Sequence, residues 1–96
     1  MLFRSKKYPF LQKDISKDTV VRTFKKDVHN DDLEWHYDNE DRIVFCNEET
    51  DWKFQFDDQL PFFINGEIFI KKGEWHRLIK GSKDLTLTIK KLNNHD

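Results

Sequence analysis

The stretch Trp52-Lys53-Phe54-Gln55-Phe56 alternates large apolar and polar side chains at every position. Successive side chains of a β-strand point to opposite faces, so this pattern predicts a strand with one buried face. The same period recurs along most of the chain, and turn-forming residues separate its segments. We predict strands over residues 19–24, 33–37, 42–46, 52–56, 62–64, 67–70, 75–79 and 85–89.

Turn signals predict how some of these strands are joined. Asn65-Gly66 predicts a hairpin, because both residues tolerate a positive φ. Residues 38–41 predict a turn that makes 42–46 the return strand of a hairpin with 33–37. Gly73 stands where the next turn needs a positive φ.

These segments predict one small all-β domain over residues 1–96, with an N-terminal arm (1–18) and a barrel (19–90). The segment 10–18 also allows a short helix. No room is left for helices between the strands, which excludes an α/β nucleotide-binding fold. From the period of two we expect a buried face made of Val44, Cys46, Phe54, Phe56, Ile68, Ile70, His76, Leu78, Leu87 and Ile89.

Length and composition indicate a small protein that gains stability from large aromatic side chains. A domain of 96 residues is marginal alone, and its nine Phe and three Trp supply apolar surface for a core or for self-association. We expect a homo-oligomer, a dimer or tetramer, because Trp35, Phe45, Phe69 and Trp75 have outward parity.

The single cysteine, Cys46, excludes an intrachain disulfide. With no signal peptide or membrane-spanning stretch in the sequence, we expect a cytoplasmic protein without a membrane partner.

Charge is distributed in blocks, although the formal net charge is only −1. Residues 1–26 and 71–91 are basic, and residues 27–58 hold twelve acids against Arg42 and Lys53. The blocks form either complementary solvated faces or a local basic patch for a phosphate-bearing ligand. The acidic middle third argues against duplex nucleic acid.

Two stretches resemble the motifs of the cupin superfamily. The first is His36-Tyr37-Asp38-Asn39-Glu40-Asp41-Arg42, and the second runs from Asn65 to Lys71-Lys72-Gly73-Glu74-Trp75-His76. The resemblance covers residues 19–90 and implies a double-stranded β-helix. It also implies that residues matching the family's metal ligands converge inside the barrel: His36, Asp38, His76, and either Asp41 or Arg42.

Strand parity places Arg42 at the position of the family's metal-binding Glu, because Arg42 shares a face with Val44 and Cys46. A permanent cation beside a divalent metal is unfavourable unless a carboxylate pairs with it. Arg42 can also form an internal salt bridge with Asp38 or Asp41. His36 and His76 can equally be a hydrogen-bonded pair in the interior.

The chain also resembles small cupin-like proteins of tailed phages, on Trp35-His36, Asp38, Asp41-Arg42, residues 52–57, Leu60-Pro61, residues 73–81 and Asp84-Leu85. Through them it is similar to the viral anti-CBASS nucleotide sponges. The resemblance implies a phage anti-defence protein, in the host cytoplasm, that sequesters a cyclic di- or oligonucleotide.

Two functions follow as hypotheses. The first is a non-catalytic protein that binds a small anionic ligand without cofactor or metal, through His36, Asp38, Arg42, Trp52, Trp75, His76, Arg77 and Lys80. Arginine supplies paired donors to phosphate, and tryptophan supplies stacking area for bases. The alternative is a small metal-dependent cupin enzyme in which His36, Asp38 and His76 hold the ion.

Overall fold

The structure, a computed structural model, describes residues 8–92. Within them the strands are β1 (Leu11–Asp14), β2 (Thr19–Phe24), β3 (Asp41–Cys46), β4 (Lys53–Phe56), β5 (Phe62–Phe63), β6 (Gly66–Ile70), β7 (His76–Ile79) and β8 (Leu85–Leu92). A 3-10 turn over Asn30–Asp32 is the one helical element of these residues. No helix in the described part of the chain is long and apolar enough to cross a bilayer.

The strands form two antiparallel sheets that enclose the core. The first has the order β1-β2-β8-β3-β6, and the second has the order β5-β4-β7. The predicted all-β class is therefore confirmed. The predicted buried face is confirmed as well: Leu78 is partly buried against the core, and the other members are buried, namely Val44, Cys46, Phe54, Phe56, Ile68, Ile70, His76, Leu87 and Ile89.

The predicted strand over 33–37 and its hairpin with 42–46 are wrong. Leu33 is buried after the 3-10 turn, but only His36 makes a β-bridge, and its partner is His76 at the start of β7. β3 pairs instead with β6 and β8, far from it in sequence. Alternation is local and revealed the strand, but the choice of partner depends on the whole barrel.

Asn65-Gly66 does not close a hairpin. Gly66 has the expected positive φ of 74°, yet β5 pairs with β4 in one sheet and β6 pairs with β3 in the other. The glycine therefore turns the chain from one sheet to the other. Gly73 also has a positive φ, of 81°, as predicted.

The N-terminal segment contributes an edge strand. Residues 1–7 lie outside the described part, and the helix allowed over 10–18 is wrong, because residues 11–14 pair with β2. Tyr8 and Phe10 are in ring contact at 5.4 Å, and Phe10 packs against the buried Phe24, also at 5.4 Å.

Candidate metal centre and its cavity

Backbone hydrogen bonds bring the two predicted histidines and Asp38 together. The N–H of His36 donates to the carbonyl of His76 at 3.0 Å, and the N–H of His76 donates to the carbonyl of His36 at 2.9 Å. Two residues further on, the carbonyl of Asp38 accepts from the N–H of Gly73 at 2.9 Å. The segment 36–38 is thus held against β7 and the turn before it.

The two imidazoles are held in a defined tautomer. Nδ1 of His36 lies 3.0 Å from the carbonyl of Glu34, and Nδ1 of His76 lies 2.8 Å from the carbonyl of Glu74. A carbonyl oxygen can only accept, so each Nδ1 carries the proton. In the neutral rings each Nε2 then keeps its lone pair, the arrangement that metal-binding histidines have.

Three possible ligand atoms converge here. One atom from each of His36, Asp38 and His76 lies within 4.8 Å of the other two. Oδ2 of Asp38 is buried and has no hydrogen-bond partner among the described residues, although Nε2 of His76 lies 3.4 Å from it. A lone pair facing a carboxylate oxygen is repulsive, so a proton or a metal ion has to lie between them.

Arg42 is neutralised by carboxylates on both sides. Its Nη1 lies 3.3 Å from Oδ1 of Asp38, and its Nε donates to Oε2 of Glu40 at 2.6 Å. Asp41, at the neighbouring position, instead accepts from the N–H of Lys72. Strand parity therefore correctly placed Arg42 on the inward face. Because carboxylates pair with Arg42, its charge is compatible with a nearby metal ion.

The site shifts the pKa values of its own groups. Burial raises the pKa of Asp38, but His76 and Arg42 outweigh it, so that this pKa lies below its usual range. Burial lowers the pKa of His36, and the nearby His76 adds to the effect. At neutral pH Asp38 is therefore an ionised carboxylate and the His36 ring is neutral, and these are the forms that bind metals.

A cavity of about 750 Å³ opens over this site. His36, Asp38, Arg42 and His76 line it together with apolar side chains of both sheets, including Phe24, Val44, Phe54, Leu78, Leu87 and Ile89. Phe54 stacks on the His76 ring, with 5.4 Å between centroids and an angle of 11°. The candidate site therefore lies in a mostly apolar, partly enclosed space, as small-molecule sites do.

The other four predicted ligand-binding residues lie outside this cavity. Trp52 is completely buried, and its indole N–H donates to the carbonyl of Lys83, so its predicted stacking on a base is wrong. Trp75 packs on Tyr37, with 4.9 Å between the ring centroids. Arg77 stacks on Trp35 at 4.7 Å, and Nζ of Lys80 donates to the carbonyl of Val28 at 2.8 Å.

Sequence reasoning missed Arg22, an inward-facing polar residue of the cavity. It lies on β2 between Val20 and Phe24, both of which are buried, and its side chain lines the cavity. The sequence did indicate this, because Arg22 shares its strand face with Val20 and Phe24, just as Arg42 shares its face with two apolar residues. Burial and the charge of Arg42 lower the pKa of Arg22 to about 10, so it is charged at neutral pH.

The fold has counterparts among solved structures. An RmlC-like cupin with a double-stranded β-helix fold, from Methanocaldococcus jannaschii, matches with a TM-score of 0.60 and 9% identity, over 85% of this chain and 79% of that one. The chain has a cupin-type fold. No protein-family model and no curated protein sequence matches it.

Two enzymes share this cupin-type fold. The DMSP lyase DddQ from Ruegeria pomeroyi matches with a TM-score of 0.70 and 12% identity, over 92% of this chain and 49% of that one. The Fe(II) form of HppE matches with a TM-score of 0.59 and 14% identity, over 77% and 41%. This chain therefore spans about half the length of these enzymes or less. The cupin resemblance is confirmed for the fold, and the sponge resemblance stays a prediction.

Proposed function

We propose that this chain is a mononuclear metalloprotein of cupin type in which His36, Asp38 and His76 bind a divalent first-row transition metal. The observation that carries the proposal is the convergence of one ligand atom from each of the three residues within 4.8 Å, with the buried Oδ2 of Asp38 at 3.4 Å from the Nε2 of His76. Two histidines and one carboxylate form the ligand set of many non-haem Fe(II) sites.

The surrounding residues support an enzyme. A bound divalent ion would polarise or activate oxygen groups in the cavity. Arg42 holds Oδ1 of Asp38, so that Oδ2 remains directed toward the imidazoles. The carbonyls of Glu34 and Glu74 fix both rings, and most of the cavity wall is apolar. The fold shared with a lyase and with an Fe(II) enzyme is consistent with a small organic substrate.

Titration with Co²⁺ tests the metal site directly. Metal-stripped protein should bind one equivalent, with the visible absorption of a Co²⁺ ion that has protein ligands. Asp38→Asn and His76→Gln should each weaken binding by about 100-fold or more, since second-shell changes alone cost about 10–100-fold. His29→Gln and Asp58→Asn, at exposed positions, are the matched controls. Equal Co²⁺ affinity in Asp38→Asn and wild type would contradict the proposal.

Sequestration of a small anionic ligand is a second candidate, and the observation that favours it is the pair of inward arginines in the cavity, Arg22 and Arg42. The sponge resemblance makes cyclic di- and trinucleotides the ligands to test. Calorimetry should then show binding, and chromatography should show that the nucleotide stays intact. No heat with any of them would reject this candidate and leave the metal site unaffected.

A further inference from the structure

Arg22 is the cavity residue whose charge has no acidic partner. Its Nε donates to Oε1 of Gln12 at 2.8 Å, and its guanidinium lies 4.2 Å from the centroid of the Phe10 ring. Neither neighbour is charged, and no carboxylate in residues 8–92 forms an ion pair with Arg22. Its guanidinium is therefore held in place by a polar and an aromatic contact, but not neutralised.

The other cations that line the cavity are compensated. Arg42 is paired with Asp38 and Glu40, and Nζ of Lys25 lies 3.5 Å from Oδ2 of Asp84. Three further acids line the cavity, Asp27, Asp32 and Glu34, but all three are exposed at its rim. A partly buried and unpaired guanidinium is costly, and an anionic group of a ligand would relieve this cost.

We propose that Arg22 binds the acid group of a small organic monoacid whose apolar body lies along the cavity wall beside His36, Asp38 and His76. The contact between Arg22 and the acid group does not depend on the proposed metal centre. Only the position of the other end of the ligand, near those three residues, rests on it. The wall next to Arg22 is apolar, because Phe24 follows on the same strand and Leu87 stands opposite Arg22 on β8. One unpaired cation beside an apolar wall matches one carboxylate or phosphonate and a hydrocarbon body.

The same features do not suit a cyclic dinucleotide. Such a ligand carries two phosphates and two polar bases, whereas the cavity offers one uncompensated cation among the described residues. Trp52 and Trp75, the two tryptophans expected to contact a base, both lie outside the cavity. The assignment of the anion-binding role thus moves from Arg42 to Arg22.

The chain contains a matched control arginine, Arg77. Its Nε also donates to a glutamine, Gln55 at 2.9 Å, and its guanidinium also lies over an aromatic ring, Trp35 at 4.7 Å. Arg77 lies on β7 but does not line the cavity. Arg22→Gln and Arg77→Gln therefore remove the same contacts and the same charge, at the site and away from it.

The test is calorimetry on Co²⁺-loaded protein with hexanoate and hexylphosphonate, compared with hexanamide and with cyclic di-AMP. The wild type and Arg77→Gln should bind an acid more tightly than the amide. Arg22→Gln should weaken acid binding about 10- to 100-fold, the range for lost hydrogen bonds to a charged group, and remove the preference over the amide. Arg22→Lys, which keeps the charge, should recover part of the affinity.

Several outcomes would overturn the inference. They are equal acid affinity in Arg22→Gln and wild type, no binding of either acid at millimolar concentration, and tighter binding of cyclic di-AMP than of the acids. Co²⁺ titration of each variant is the readout that separates the two proposals. An Arg22→Gln protein that binds Co²⁺ normally is folded and has an intact metal site. Failure of the wild type to bind Co²⁺, with Arg22-dependent acid binding retained by metal-free protein, would reject the metal centre alone.

Discussion

At the scale of single residues, the carboxylate of Asp38 is shared between a cation and an imidazole. Oδ1 lies beside Arg42 and Oδ2 beside His76, and all three side chains are largely buried. Arg42 therefore orients the carboxylate so that Oδ2 points toward His76. A change at this carboxylate should affect both the stability of the barrel and metal binding at the candidate site.

Arg42→Met should impair both properties. It leaves a buried carboxylate without its cation, which typically costs about 3–5 kcal/mol in the free energy of unfolding. It also frees Asp38 to rotate, so Co²⁺ affinity should fall about 10- to 100-fold. Urea denaturation and Co²⁺ titration measure the two effects. Glu40→Gln, which removes only the outer partner of Arg42, should have a smaller effect on each, and an unchanged Co²⁺ affinity in Arg42→Met would contradict the positioning role.

The pKa shifts predict how the stability of metal-free protein depends on pH. The pKa of His36 in the folded protein is lowered below 6.5. The contribution of neutral His36 to the free energy of unfolding is therefore complete above pH 6.5, and it is lost as the pH falls toward the pKa of the folded state. Asp38 also has a lowered pKa, so its contribution is present above pH 3.8 and is lost only in stronger acid.

The urea midpoint of metal-free protein should therefore drop between pH 7.5 and pH 5.5, because His36 resists protonation in the folded state. His36→Gln should show a smaller drop, and His29→Gln, which changes a histidine outside the cavity, should behave as wild type does. Equal pH dependence in His36→Gln and wild type would show that His36 is not the group responsible.

At the scale of elements, the segment 36–38 is not a strand and depends on its neighbours for its position. The bridge to His76 and the bond from Gly73 hold it, and Gly73 makes that bond from a turn with φ of 81°. The turn between β6 and β7 is therefore part of the candidate site, although none of its residues belongs to the proposed ligand set.

Gly73→Ala and Gly66→Ala form a matched pair at this scale. Both glycines have a positive φ, and an added Cβ would meet nothing within 4 Å at either position. Each substitution should cost about 1–2 kcal/mol of stability, the strain of a side chain in the left-handed region. Only Gly73→Ala should also lower Co²⁺ affinity, because Gly66 turns the chain between the sheets. Equal Co²⁺ affinities would mean that the turn does not position Asp38.

The same elements show what could be predicted from the sequence. Alternation identified most strands and the buried face, because the period of two is a local property. Partner choice in a barrel is not local, so the hairpin of 33–37 with 42–46 was predicted wrongly. The resemblance to cupin motifs brought His36, Asp38 and His76 together, and parity placed Arg42 inside. Parity applied to β2 would also have placed Arg22 inside.

At the scale of the whole molecule, large aromatic side chains remain on the outside. Phe69 is 51% exposed on β6, an edge strand of the five-stranded sheet, and Trp75 is 44% exposed. An edge strand with an exposed aromatic residue invites pairing with a second copy. The expected homo-oligomer therefore stays a prediction, with β6 as the first surface to test.

Sedimentation should show a dimer or tetramer for the wild type and a smaller species for Phe69→Lys, because a charged edge strand resists pairing. Leu60→Lys is the control, since Leu60 is also exposed but lies in the loop between β4 and β5, outside both sheets. A wild type that remains monomeric at high concentration would contradict the prediction.

The β-bridge between His36 and His76 has a consequence for folding. Its two residues are about 40 positions apart, so an ion bound at this bridge would act as a cross-link that closes a long loop of the chain. In a chain whose only cysteine is buried and unpaired, such a cross-link would replace a disulfide. An ion that binds only the closed chain stabilises the native state, so metal-loaded protein would unfold less often than metal-free protein.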